Sequence, residues 1–145
     1  MPKGFCLGFD FGSHCIGVAV GQTVTTTASP IATIKAKRGI PDWQATKKLI
    51  DQWHPDTLIV GFPLHMDGTE MPITAAAYTF AEQLHLKFNL PVYLVDERLT
   101  TKAAREEIFA QQGFKGLTKE HVDGISAKLI LESWLNEKKF LKKID

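Results

Sequence analysis

Acidic residues stand at the ends of apolar runs in this chain. Asp10 closes the alternating run that begins at Gly4, and Asp96 and Glu97 close the run that begins at Pro91. A further acid, Asp123, lies in line with Ala127, Ile130 and Trp134 on a helical wheel, a stripe that should pack on other elements, although it also fits a helix-start acid that leans out to water. A carboxylate on a buried stripe costs several kcal/mol, on the order of the usual penalty for an uncompensated charge, unless it is paired or bound to a cation. Acids gathered from distant segments repel one another unless cations sit between them. The matching chemistry is an oxygen-liganded divalent ion, Mg or Mn, and a pair of them about 3.5–4 Å apart suits phosphodiester hydrolysis. Zinc fits poorly, because no His/Cys group has ligand spacing.

Other residues could serve such a site. Arg98 offers a planar fork for a phosphate, or a salt bridge to Asp96 or Glu106. Gly12 and Ser13 could present backbone N–H groups to a phosphate, or simply form a turn. His65 and His14 are proton-transfer candidates that also fit a surface reading. Thr100 and Thr101 fit a helix cap better than a substrate contact. The loop over residues 63–72 has the make-up of a substrate flap, with two prolines, a glycine and Met66.

The elements that must position these residues follow from periodicity. Residues 4–10 alternate, and a Gly12-Ser13-His14 turn leads into a second alternating run through Ile16, Val18 and Val20. So short a connection makes the two strands antiparallel. Residues 25–34 supply a third strand, with Pro30 marking an edge or a bend. The period then changes. Residues 42–53 read as a helix with Pro41 at its first turn, and Thr57-Leu58-Ile59-Val60 as a short buried strand. A long helix follows with Ala77, Phe80, Ala81, Leu84 and Phe88 inward, then a strand over 91–95. A helix from Thr100 to a stop at Gly113 and a last helix over 118–135 complete the order. The expected fold is α/β, with a five-stranded mixed sheet: three antiparallel strands, then parallel β-α units, with helices on both faces. Such sheets place sites beyond the carboxyl ends of their parallel strands, where Asp10, Asp96 and Glu97 stand.

The 145 residues suit a single domain over 1–145 with a substantial core. Apolar runs are too short to span a bilayer, and the first residues lack signal-peptide architecture, so a cytoplasmic location is expected. Cys6 and Cys15 read as reduced, buried small residues. The formal charge of +1 neither requires nor excludes a nucleic-acid partner. Two basic clusters, Lys35-Ala36-Lys37-Arg38 and the tail from Lys138 to Lys143, read as solvated surface. Trp43, Trp53 and Trp134 lie at core spacing, so base stacking on them is rejected.

Four blocks in this order, GFDFGSHCIGVAV, LIVGFPLHMDGTE, VYLVDERLTT and HVDGISAKLILESWL, resemble the signatures of the YqgF family, also called RuvX. That resemblance implies an RNase H-like fold and a cytoplasmic bacterial nuclease. Its implied task is trimming the 5′ end of pre-16S rRNA during ribosome biogenesis, with a divalent metal held by carboxylates. By position it makes Asp10, Glu97 and Asp123 the catalytic and metal-binding acids. Asp96 stands as a fourth metal candidate, although neighbouring residues of an extended segment point to opposite sides. The chain departs from the family pattern at His14-Cys15, where a basic residue is common, at His65, where Asn is common, and at Ser126-Ala127, where two alanines are usual. The implied partners are pre-rRNA or structured DNA, and ribosomal particles, with the protein a monomer or weak homodimer. Three other readings compete. A Holliday junction resolvase shares the chemistry and needs a dimer. An actin-like nucleotide-binding domain needs a second lobe that 145 residues cannot supply. A non-catalytic RNA- or ribosome-binding module would hold no tight ion site.

Overall fold

The computed structural model describes residues 4–98 and 119–145, with side chains in the second stretch from residue 124 onward. Strands β1 (Phe5–Asp10), β2 (Cys15–Gln22) and β3 (Thr27–Lys37) form an antiparallel meander. A two-residue strand β4 (Ile40–Pro41) returns along the end of β3. Helix α1 (Trp43–Trp53) leads to β5 (Thr57–Phe62), and α2 (Pro72–Phe88) to β6 (Val92–Asp96). Helix α3 (Lys119–Glu137) and a terminal strand β7 (Lys142–Ile144) complete the described chain. The sheet order is β4-β3-β2-β1-β5-β6-β7, with β1, β5 and β6 parallel at its centre.

Among the described residues the sheet has seven strands rather than the expected five. The two extra strands have two and three residues, too short to show a period of two. β5 also runs two residues past Val60, through Gly61 and Phe62, which pair with Val95 and Asp96. Glycine ends the apolar run locally, but the neighbouring strand keeps the ladder going. β3 starts and ends later than expected. Its Pro30 sits beside a bulge where β4 does not reach, so the missing N–H leaves no gap in a ladder. Asp42 proves to be the cap of α1, its Oδ1 accepting from the Ala45 N–H at 3.1 Å. The expected helix over 100–113 lies outside the described residues, as do Thr100 and Thr101.

Alternation along the strands separates two cores. Leu7, Phe9, Val18, Leu58, Val60 and Leu94 face α1 and α2, where Phe80 packs on Phe9, Phe11 and Trp43. Cys6, Ala19, Ile59 and Val95 face α3 through Ala127, Ile130, Leu131 and Trp134. The α3 face is lined by small residues, and the helix lies close to it. A Cβ on Gly8 would stand 2.8 Å from Leu131 Cβ and 3.1 Å from the Ala127 carbonyl oxygen. The tryptophans pack as expected: Trp43 on Phe80, Trp53 on Phe5 and Trp134 on Tyr93. Burial pushes the Cys6 thiol up to about 11, which keeps it protonated and inert. Among the described residues no helix is long and apolar enough to cross a membrane.

Candidate active site

The parity that divides the cores also sorts the acids. On β1, Asp10 follows Cys6 and Gly8 and so projects to the α3 face. On β6, Val95 belongs to the α3 face and Leu94 to the other, so Glu97 projects with Val95 and Asp96 with Leu94. The Glu97 N–H donates to the Phe62 carbonyl at 3.4 Å, which carries the β5–β6 ladder one step past the strand.

Gly61 lies between the two acids. Phe9 pairs with Val60, so Asp10, one step further, stands abreast of Gly61 on one side, while Val95 pairs with Gly61 on the other. The Glu97 side chain leans over this glycine. A Cβ there would collide with Glu97 Oε2 and lie 2.5 Å from Ile130 Cδ1. β1 and β6 are two strand spacings apart, about 10 Å. The missing side chain at Gly61 lets the Glu97 carboxylate reach into that gap toward Asp10. The strand expected from the sequence stops at Val60, one residue short of Gly61. Its signal was available: a glycine among buried strand residues marks a close approach.

The side chain of Asp123 lies outside the described residues, but its backbone position is described. Leu135 and Leu131 approach Gly21, which pairs with Cys6, and Leu131 and Ala127 approach Gly8. α3 therefore runs antiparallel to β1, and one more turn back brings residue 123 to the level of Asp10. Among the described residues no group of three or more His, Cys, Asp or Glu side chains comes together.

Asp96 has a different engagement. Its Oδ1 accepts from the Arg98 backbone N–H and Nε, each at 3.0 Å, and its Oδ2 from Nε at 2.8 Å and Nη2 at 2.5 Å. The Arg98 hydrogen bonds hold the Asp96 carboxyl below the usual carboxylate range, and the same contact raises Arg98. The guanidinium also borders the loop after β5, with Nη1 3.5 Å from where a Cβ on Gly68 would stand. That loop is a tied hairpin. The His65 N–H donates to the Thr69 carbonyl at 2.9 Å and the Gly68 N–H to the His65 carbonyl at 2.8 Å. Asp67 Oδ1 accepts from the Thr69 N–H at 2.9 Å and hydroxyl at 2.6 Å. His65 is exposed at this edge of the sheet.

Gly12 and Ser13 form the turn after Asp10. A Cβ on Gly12 would stand 2.5 Å from the Cys15 carbonyl oxygen, so the turn closes only around glycine. The Ser13 and His14 carbonyls are taken by the β3–β4 hairpin, accepting from the Gly39 and Ala36 N–H groups at 3.1 and 2.9 Å.

Known proteins share this architecture. The RuvX family model, described as a Holliday junction resolvase, matches residues 4–137. A protein of Legionella pneumophila (strain Philadelphia 1) named "Putative pre-16S rRNA nuclease" is 55% identical over 137 residues, covering 94% of this chain and 99% of its own. A protein of the same name from Glaesserella parasuis is 57% identical over 131 residues, covering 90% and 95%. Among solved structures, Thermus thermophilus RuvC in complex with a Holliday junction superposes with a TM-score of 0.55 at 14% identity, covering 94% of this chain and 96% of its own. The fowlpox virus resolvase with Holliday junction DNA gives 0.54 at 15% identity, covering 92% and 98%. The fold is that of the RNase H-like resolvases.

Proposed function

This chain belongs to the RuvX family, and from that membership and the geometry above we propose that it is a metal-dependent endonuclease acting on structured nucleic acid. Its substrate is the 5′ end of pre-16S rRNA, processed in the cytoplasm during ribosome biogenesis by a monomer or weak homodimer. The names of its 55–57% identical relatives support pre-16S rRNA as the substrate. The observation that carries the hydrolytic reading is the placement of Glu97 over Gly61, beside Asp10, at the carboxyl edge of three parallel strands.

The ligand set is carboxylate oxygen, which fits Mg or Mn, and the space that a side chain on Gly61 would fill is taken by the Glu97 carboxylate. Asp10 and Glu97 would hold the ions. Asp123, one helical turn before Ala127, would be the third ligand. When bound, a pair of such ions activates a water and offsets charge on the leaving oxygen. The protein holds its own groups in place around that chemistry. Asp96, on the opposite face, fixes the Arg98 fork beside the Gly68 hairpin, where Arg98 can meet a phosphate. Gly12 and Ser13 bring backbone to the same edge, and His65 stands at its rim.

The family description favours a second substrate, a four-way DNA junction cut by the same acids. Purified protein incubated with structured RNA or a DNA junction, with and without Mn²⁺, separates the two. Asp10→Asn and Glu97→Gln should each lower Mn²⁺-dependent cleavage at least about 100-fold, beyond the usual loss from groups that merely support a ligand. Equal cleavage by wild type and both variants overturns the assignment.

A further inference from the structure

The cluster Lys35, Lys37 and Arg38 occupies a defined place in the fold. All three residues are exposed. They sit on the hairpin between β3 and β4, which reverses through successive left-handed residues, Arg38 at φ 52° and Gly39 at φ 79°. The hairpin is closed by the Asp42 N–H donating to the Lys35 carbonyl at 3.0 Å. The hydrogen bonds to the Ser13 and His14 carbonyls then pin it to the turn that directly follows Asp10.

Register gives its position and direction. Asp10 pairs with Gly17, and Gly17 with Thr33, so the three lie in one row across the sheet. Cys15 and Lys35 are the next pair outward on the same face. Ile34 and Ala36 pack into the α1/α2 core, so Thr33, Lys35 and Lys37 project to the face that carries Asp10 and Glu97. Two strand spacings across and two residues along put the Lys35 Cα roughly 12 Å from that of Asp10. Between hairpin and turn lies an open groove of about 850 Å³, lined by His14, Cys15, Lys35, Lys37 and Ile40 among others. Ile40 is 67% exposed there. The acid lining the groove, Asp42, already accepts from the Ala45 N–H. Among the described residues none of the three cations is in an ion pair.

We propose that the β3–β4 hairpin binds the phosphate backbone of the nucleic-acid strand that runs past the scissile bond. Lys35, Lys37 and Arg38 contact its phosphates, and the exposed Ile40 and His14 form a shelf for sugar and base. This deepens the nuclease reading and rests on it for the identity of the strand. Lysine ammoniums act as point charges on phosphate, so their contribution is counterion release and depends on salt.

The test is binding of a labelled single-stranded RNA oligonucleotide, in EDTA to prevent cleavage, as a function of salt. Lys35→Gln/Lys37→Gln should lower the slope of log K against log salt by about 1.4, at about 0.7 per phosphate contact on a single strand. If affinities converge near 1 M salt, that slope corresponds to roughly 25-fold weaker binding at 0.1 M. Lys47→Gln/Lys48→Gln removes the same charge from α1, on the opposite face, and should leave the slope unchanged. Lys35→Arg/Lys37→Arg should retain binding. A wild-type slope in the hairpin double variant, or an equal loss in the α1 variant, overturns the proposal. Mn²⁺-dependent cleavage with the same KM in wild type and hairpin variant also overturns it, while leaving the nuclease reading intact. Hairpin-dependent binding without any Mn²⁺-dependent cleavage supports the hairpin and sinks the nuclease reading instead.

Discussion

Gly61 shows how much a site can depend on a missing side chain. The acids on either side of it carry the proposed chemistry, but Glu97 extends toward Asp10 only across bare backbone. Gly61→Ala would add one methyl group against Glu97 Oε2 and Ile130 Cδ1. Overpacking of this kind costs about 1–3 kcal/mol, which a domain of this size survives. Displacing the carboxylate by about 1 Å costs on the order of 100-fold in rate. The variant should therefore stay folded at 25 °C by circular dichroism and lose roughly that factor in kcat. Full activity in a folded Gly61→Ala protein would show that Glu97 does not depend on this cradle. At this scale the opposite faces of Asp96 and Glu97 were legible in the sequence, because a strand alternates. The glycine was not, because its neighbour in space, Glu97, is 36 positions away in the chain.

Among the elements, α3 and β7 show opposite cases. The stripe of Ala127, Ile130 and Trp134 was readable from its period, and the helix packs on the sheet with that stripe. The tail read as solvated because four of its residues from 138 to 143 are lysines. Its lysines are exposed, and the tail also folds back and pairs with β6. Ile144 joins the α1/α2 core, Phe140 packs edge-on against Tyr93 at 4.8 Å, and Lys142 Nζ donates to the Tyr78 hydroxyl at 2.6 Å. Its lysines also protect an edge that would otherwise be open to pairing with another chain. Deleting residues 138–145 should lower stability by about 3 kcal/mol, roughly the burial of one or two large apolar side chains. It should also make the protein aggregate on warming. Urea unfolding and light scattering check both, and an unchanged midpoint in a monodisperse truncated protein would contradict the role given to β7.

For the molecule as a whole, the proposed ligands come from β1, β6 and α3, and no two of them are close in sequence. They meet only when the sheet and helix have packed, so a cation bound by them binds the folded state and not the unfolded chain. Mn²⁺ at 100 times its dissociation constant should then stabilise the protein by about 2.7 kcal/mol. The melting temperature should rise with Mn²⁺ in wild type and stay flat in Glu97→Gln. An equal rise in both would place the ion elsewhere.

The sequence by itself determined the α/β class, the order of its major elements, the two-faced pattern of each strand, and the residue types that suit divalent-ion chemistry. These depend on local periodicity and on the chemistry of side chains, which need no partner to be read. Only the tertiary structure decided that Glu97 lies over Gly61 on the face of Asp10, and that a basic hairpin is pinned beside the site; for Arg98 it chose Asp96 from the two partners the sequence offered. It also decided that a lysine-rich tail completes the sheet. The cradle, the hairpin and the tail are contacts between segments whose register is set by strand pairing, and pairing between distant strands leaves no periodic trace in either one alone.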